Sequence, residues 1–260
     1  MSSIIKVDTI QDQDGNNIIN ESSNTVTIGA SGDTITLPSG ANLSVDGTIK
    51  LDGDYPTGTN NVALGNQALD DGSLSGGCNT AIGTNALTAH TSGNRNIAVG
   101  ACALLSNTTA TDNMAIGVCA LESNTTTGDN MAIGNFSLED NTTGTGNTSV
   151  GLSSMRENNS GSNNTAVGRS ALTCNTTGAC NVAVGRSALA ANTTATHNVG
   201  IGACAMVANQ DGTANVAIGF CAVSVGTTVS NTTAVGHLAL ENTTSNNNTA
   251  VGNQALEANT

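Results

Sequence analysis

The sequence predicts an all-β chain built as a repeat β-solenoid, and three observations lead there. A 17-residue unit recurs through most of its 260 residues, each unit carries a short apolar run of period 2, and the runs are separated by Asn-Thr-Thr-Gly loop chemistry. Taking the glycine of an Asn-x-Ala-aliphatic-Gly pentad as marker, the units fall at Gly65, Gly83, Gly100, Gly117, Gly134, Gly151, Gly168, Gly185, Gly202, Gly219, Gly236 and Gly252. The first spacing is 18 residues, the last is 16, and the nine between Gly83 and Gly236 are all 17. A fixed period below 50 residues is the signature of stacked repeats.

The chain opens with a candidate β-hairpin over residues 1–24. Ile4-Ile5-Lys6-Val7 and Asn17-Ile18-Ile19 flank Asp14-Gly15, a strong turn pair, and such a piece suits attachment to a platform. Residues 25–60 carry short alternating pairs, Val26 and Ile28, Ile35 and Leu37, Leu43 and Val45, Ile49 and Leu51, broken by Gly, Asp, Ser and Pro38. None is long enough to bury much alone, so an intertwined multi-chain β stalk with a linker is expected. Residues 61–260 are the twelve repeats.

Within a repeat, Asn stands four residues before the marker in every unit but one, where Thr232 replaces it. The residue before the marker is always aliphatic, Ala or Ser stands three after it, and Leu, Met or Val stands four after it. A run such as Asn181-Val182-Ala183-Val184-Gly185 is too short for a helix and alternates. Each unit reads as one coil with two short strands, and coils about 4.8 Å apart pair each strand with its copy. Alternation puts the residues one and three before the marker on one face and those two and four before it on the other. The first set is expected to fill the coil. The opposite, Ala-bearing face is expected to pack on other chains around an axis, the alternative being that Ala fits a cramped turn. Asn suits left-handed backbone and amide ladders between coils.

Three aromatics, Tyr55, Phe136 and Phe220, with no Trp, fit a thin solenoid better than a compact globule. Six basic residues against 19 acidic ones give a net charge of −13, which argues against nucleic acid or an anionic membrane as partner. The first residues lack the pattern of a secretory signal, and no apolar stretch of membrane-spanning length occurs, so synthesis in a cytoplasm without membrane insertion is expected. Seven cysteines, an odd number, fit reduced thiols.

The pentad with its following Ala-Leu and Asn-Thr-Thr-Gly resembles the head repeats of trimeric autotransporter adhesins, and more closely the 17-residue repeats of phage tail fibres, over residues 61–260. The opening Ile5-Lys6-Val7-Asp8-Thr9-Ile10-Gln11, with Thr25-Val26-Thr27-Ile28-Gly29 and Gly32-Asp33-Thr34-Ile35-Thr36-Leu37-Pro38-Ser39-Gly40, resembles the N-terminal segments of marine phage tail-fibre-like proteins. The resemblance implies an interlocked homotrimer of left-handed parallel β-rolls. It also implies a place in the virion, a tail or baseplate protein at the N-terminal end, and a host receptor or distal fibre protein at the other. A secretion signal and a membrane-anchoring barrel, which the adhesins need, are not seen.

No catalytic, cofactor-binding or metal-binding residue is assigned. Cys102 with Cys119 and Cys204 with Cys221 stack in neighbouring units and read as buried free thiols rather than disulfide or metal ligands. Cys174 and Cys180, flanking one loop, are the best disulfide candidates. His90, His197 and His237 occupy three different repeat positions and read as solvated. Asp12-x-Asp14-x-Asn16 lacks the Gly and Glu of a calcium loop, with Asn17 and Ser23 in their places. Paired threonines such as Thr108-Thr109 and Thr176-Thr177 read as a loop ladder rather than an ice-binding face. A polysaccharide depolymerase, the rival from another class, needs paired carboxylates and stacking aromatics, and the acids of the repeats scatter over different positions.

Overall fold

Gly185 shows why the chain coils as it does. Its φ of +133° lies where side-chain-bearing residues rarely sit, and a Cβ there would meet the backbone of Gly202 in the next coil at 2.6 Å. The marker column is therefore a line of close backbone contact along which successive coils stack.

The structure, a computed structural model, describes residues 60–70 and 74–258, all within the unit Leu51–Thr260. The hairpin expected over 1–24, nearly all of the stalk over 25–60, and the Asp12-Asp14-Asn16 segment lie outside the described residues. Twelve three-residue strands follow one another: β1 Val62–Leu64, β2 Thr80–Ile82, β3 Ile97–Val99, β4 Met114–Ile116, β5 Met131–Ile133, β6 Thr148–Val150, β7 Thr165–Val167, β8 Val182–Val184, β9 Val199–Ile201, β10 Val216–Ile218, β11 Thr233–Val235 and β12 Thr249–Val251. They form one parallel sheet in chain order. Equivalent repeat positions pair throughout, as in Val182↔Val199, Ala183↔Gly200 and Val184↔Ile201. The described repeats are thus a β-solenoid, and eleven steps at strand spacing make it about 53 Å long.

One strand per coil, rather than the expected two, is the first correction. The residues two and four after each marker, such as Ser187 (φ 57°) and Leu189 (φ 51°), are left-handed, as is the residue five before it, such as Cys180 (φ 60°). Left-handed residues cannot continue an extended strand. The second half of the coil is a run of turns, still bonded to its neighbours: Ser187 N–H donates to Arg169 O at 3.0 Å and Leu189 N–H to Ala205 O at 2.9 Å. A left-handed Leu is strained by roughly 1 kcal/mol, and the column four after the marker persists because each of its leucines is buried except Leu256 in the last coil, which is 53% exposed.

The second correction concerns which strand face is inside. Ala81, Ala98, Ala115, Ala132, Ala166, Ala183 and Ala217 are 0% exposed, facing the buried column Leu87, Leu104, Leu121, Leu138, Met155, Leu172, Leu189, Met206 and Val223. The alternating aliphatic residues one and three before the marker, expected inside, point outward. The cause is space. At Gly200, where the alanine is missing, an added Cβ would already lie 3.2 Å from Leu189 Cγ, so the leucine column leaves room for one methyl and no more. The small side chain is thus set by a cramped interior and not by an alanine interface between chains.

Where alanine gives way to serine, the interior stays satisfied. Ser137 Oγ donates to Ser149 Oγ at 2.8 Å, and Ser149 Oγ donates to Ser154 O at 2.9 Å. The three substitutions sit in neighbouring coils, so each buried hydroxyl has a partner.

Candidate functional site

Asparagine builds the two edges of each coil. In the first column, Asn164 Oδ1 accepts the backbone N–H of Asn181 at 2.9 Å while its Nδ2 donates to Gly178 O, 14 residues on in the same coil, at 2.8 Å. The same pattern runs from Asn79 to Asn215. One amide therefore closes its own coil and fixes the spacing to the next. A second column, seven residues after the marker, is also buried: Asn141, Asn158, Asn175 and Asn192 each donate to the Asn of the preceding coil at 2.6–3.1 Å. The sequence reading took this asparagine only as part of the Asn-Thr-Thr-Gly loops and not as a buried column, although Asn107, Asn124, Asn141, Asn158, Asn175, Asn192 and Asn209 recur at the 17-residue period.

That column corrects the reading of His90, which occupies one of its places. His90 is fully buried, with Nδ1 3.0 Å from Asn107 Oδ1 and Nε2 2.8 Å from Gly93 O. The other histidines are at the surface side of their turns: His197 Nδ1 is 3.0 Å from Thr196 Oγ1, and His237 stacks on Phe220 with centroids 5.4 Å apart. Among the described residues, no three His, Cys, Asp or Glu side chains gather closely enough to hold a metal ion.

The asparagine column also bears on the Asn-x-Thr triplets. Asn107, Asn124, Asn141, Asn175 and Asn192 are 0% exposed, so their amides face the coil interior and not a glycosylating enzyme. Of the paired threonines, the first bonds along the stack, Thr108 Oγ1 to Thr125 O at 3.2 Å and Thr176 Oγ1 to Thr193 O at 3.0 Å, while Thr109 and Thr177 face solvent. This is the loop ladder expected from the sequence.

The seven cysteines are free, Cys174 and Cys180 included. Cys102, Cys119, Cys204 and Cys221 stack as expected but are half-buried on the outside of the turn, not in the core. Burial, and then the hydrogen bond to Glu122, push the Cys119 thiol up to about 12. Among the described residues, ion pairs bridge consecutive coils: Arg95 holds both oxygens of Asp112 at 2.6 and 2.7 Å, and Arg156 holds Glu139 while lying over the ring of Phe136. The hydrogen bonds from Arg95 hold the Asp112 carboxyl below the usual carboxylate range.

The surface feature that remains is the outward face of the sheet. Leu64, Ile82, Val99, Ile116, Ile133, Val150, Val167, Val184, Ile201, Ile218, Val235 and Val251 stack in one column, and β-branched residues or Met stand beside them. Ile82, Ile116, Val167, Ile201 and Ile218 are 36–37% exposed, Val99, Ile133, Val150, Val184 and Val235 less so, and Leu64 and Val251 reach 62% and 71%. Two residues of strand make the stripe about 7 Å wide, running the whole length of the stack. Parallel sheets are found almost only with both faces covered, and here the outward face has no cover from the described residues of this chain; its second column is interrupted by Thr80, Thr148, Thr165, Thr233 and Thr249.

No protein-family model, no curated protein and no solved structure matches this chain. Among the described residues no helix is long and apolar enough to cross a membrane.

Proposed function

We propose that this protein is a structural fibre of a virion, a phage tail fibre in which three copies interlock as β-rolls along their aliphatic strand faces. The single observation that carries the reading is the uncovered stripe on the outward face of β1–β12. Three stripes meeting at an axis would remove one continuous apolar surface from water, at roughly 25 cal/mol per Å². The resemblance of the repeats and of the opening segment to tail-fibre sequences supports the virion setting, with residues 1–60 holding a tail or baseplate protein. The in-register ladder of amides and backbone bonds favours a stiff shaft.

The function of such a shaft is host attachment by multivalent surface binding, or rigid spacing of a distal adhesin. Many weak contacts on one particle raise avidity through effective concentration, without any one tight site. The outer turns and the far end of the stack are the surfaces that meet a receptor or the next fibre protein.

Light scattering on the unheated full chain tests the assembly first. A mass three times the 25.6 kDa chain is expected, and a monomer would overturn the interlocked fibre. Phage lacking residues 61–260 then test the role: loss of host adsorption supports attachment, whereas normal adsorption reduces the protein to a decoration fibre. Detection on the surface of uninfected cells would replace both with a bacterial adhesin.

A further inference from the structure

We propose that Cys204 and Cys221 form an oxidation-sensitive dithiol that closes into a disulfide between consecutive coils when the protein meets a small-molecule disulfide. Both residues sit two positions after their marker glycine and both are left-handed, with φ of 57° and 51°, so their side chains leave the turn in the same direction. Backbone bonds fix their levels: Cys204 N–H donates to Arg186 O at 2.9 Å and Cys221 N–H to Ala203 O at 3.0 Å. Strand spacing then sets their Cα atoms about 4.8 Å apart, inside the ~4.4–6.8 Å range of disulfides. Both thiols are free and half-buried.

Arg186 decides which sulfur reacts first. Its Nη2 lies 3.8 Å from Cys204 Sγ, so the guanidinium reaches that sulfur. Burial, and then the charge of Cys204, push the Cys221 thiol up, with Glu241 adding to the effect. Cys204 is therefore the attacking group and Cys221 the resolving one. The Cys204 thiolate attacks one sulfur of oxidised glutathione, forming a mixed disulfide and expelling a glutathione thiolate that takes up a proton. With the charge on Cys204 gone, Cys221 loses its proton to solvent more readily. Its thiolate attacks the Cys204 sulfur, forming the Cys204–Cys221 bond and expelling the second glutathione thiolate. Two protein thiols are oxidised and one oxidised glutathione is reduced to two.

Cys102 and Cys119 provide an internal comparison at the same repeat position. There burial, and then Glu122, disfavour the Cys119 thiolate, and Thr84 stands where Cys204 has Arg186. The same stacking without the cation should react more slowly.

The test is timed oxidation of the folded full chain with oxidised glutathione at about pH 8, followed by alkylation, digestion and mass analysis. The expected product is a Cys204–Cys221 linked peptide, two hydrogens lighter than its parts, on a chain that runs as a single polypeptide without reductant. Cys102 and Cys119 remain alkylated when that bridge is complete. Arg186→Ala slows bridging, and Cys221→Ser traps glutathione on Cys204. Persistent glutathione on Cys204 in the wild type overturns the proposal. So does equal bridging at Cys102–Cys119, an unchanged rate in Arg186→Ala, or alkylation of all four thiols without a bridge.

Discussion

The imidazole of His90 stands in for an asparagine, 3.0 Å from Asn107 Oδ1 and 2.8 Å from the Gly93 carbonyl. A neutral imidazole has one N–H, so only one of these two oxygens can receive it. With Nε2–H donating to Gly93 O, Nδ1 accepts, and Asn107 meets it best by turning its amide so that Nδ2 faces the ring. That turn gives a partner to Asn107 Nδ2, which otherwise has none. Replacing His90 by Asn restores the pattern of Asn124, whose Nδ2 donates to the carbonyl three residues on at 2.9 Å. His90→Asn should raise stability by about 1 kcal/mol and His90→Ala should lower it by about 2 kcal/mol, read from thermal unfolding.

The orientation of the sheet gives paired substitutions with opposite signatures. Ile201→Asp and Ile116→Asp point outward, so each should leave the circular dichroism unchanged while converting an assembly to single chains in light scattering. Ala217→Leu points at the buried column and should cost about 1–3 kcal/mol through overpacking. A chain that stays assembled with an aspartate on the stripe would place the interface elsewhere.

Gly185→Ala combines strain with collision. The φ of +133° is unfavourable for alanine, and the added methyl meets Gly202 backbone, which cannot move without parting two coils. A loss on the order of 4 kcal/mol is expected in denaturant unfolding, beyond the usual range for a surface turn.

The asparagine columns should differ by position. Asn164→Ala removes the acceptor for Asn181 N–H and the donor to Gly178 O, both buried, and should cost about 3 kcal/mol. Asn209→Ala should cost less, because Asn209 Oδ1 has no partner to lose. Thermal unfolding of the two variants side by side decides it.

Asp112 sets an acid limit. Its carboxyl is held below the ordinary range by Arg95, so the pair contributes stability above the unfolded pKa of about 4 and loses it as pH falls through the lower folded value. Both groups are exposed, so the effect is small and sensitive to salt. Unfolding of the wild type and Asp112→Asn should differ most above about pH 5 and converge toward about pH 2.

The 17-residue period by itself determined the solenoid, the parallel pairing of equivalent positions and the length of the stack, because identical units bury their edges only against one another. It also separated the strand residues into two sets. Which set turned inward was decided only by tertiary packing: alternation names two faces and says nothing about the space behind either. The sequence argument followed size, placing Ile201 inside and Ala183 out, whereas the left-handed turn swings Leu189 across the coil and leaves room beside it for one methyl. His90 was likewise illegible as a buried group until the fold placed it in line with Asn107, since a single histidine carries no period of its own. The repeat settled which positions pair; the left-handed turns in the second half of each coil, read from the sequence as a strand, and the inside of the coil were settled by residues brought together from opposite sides of it.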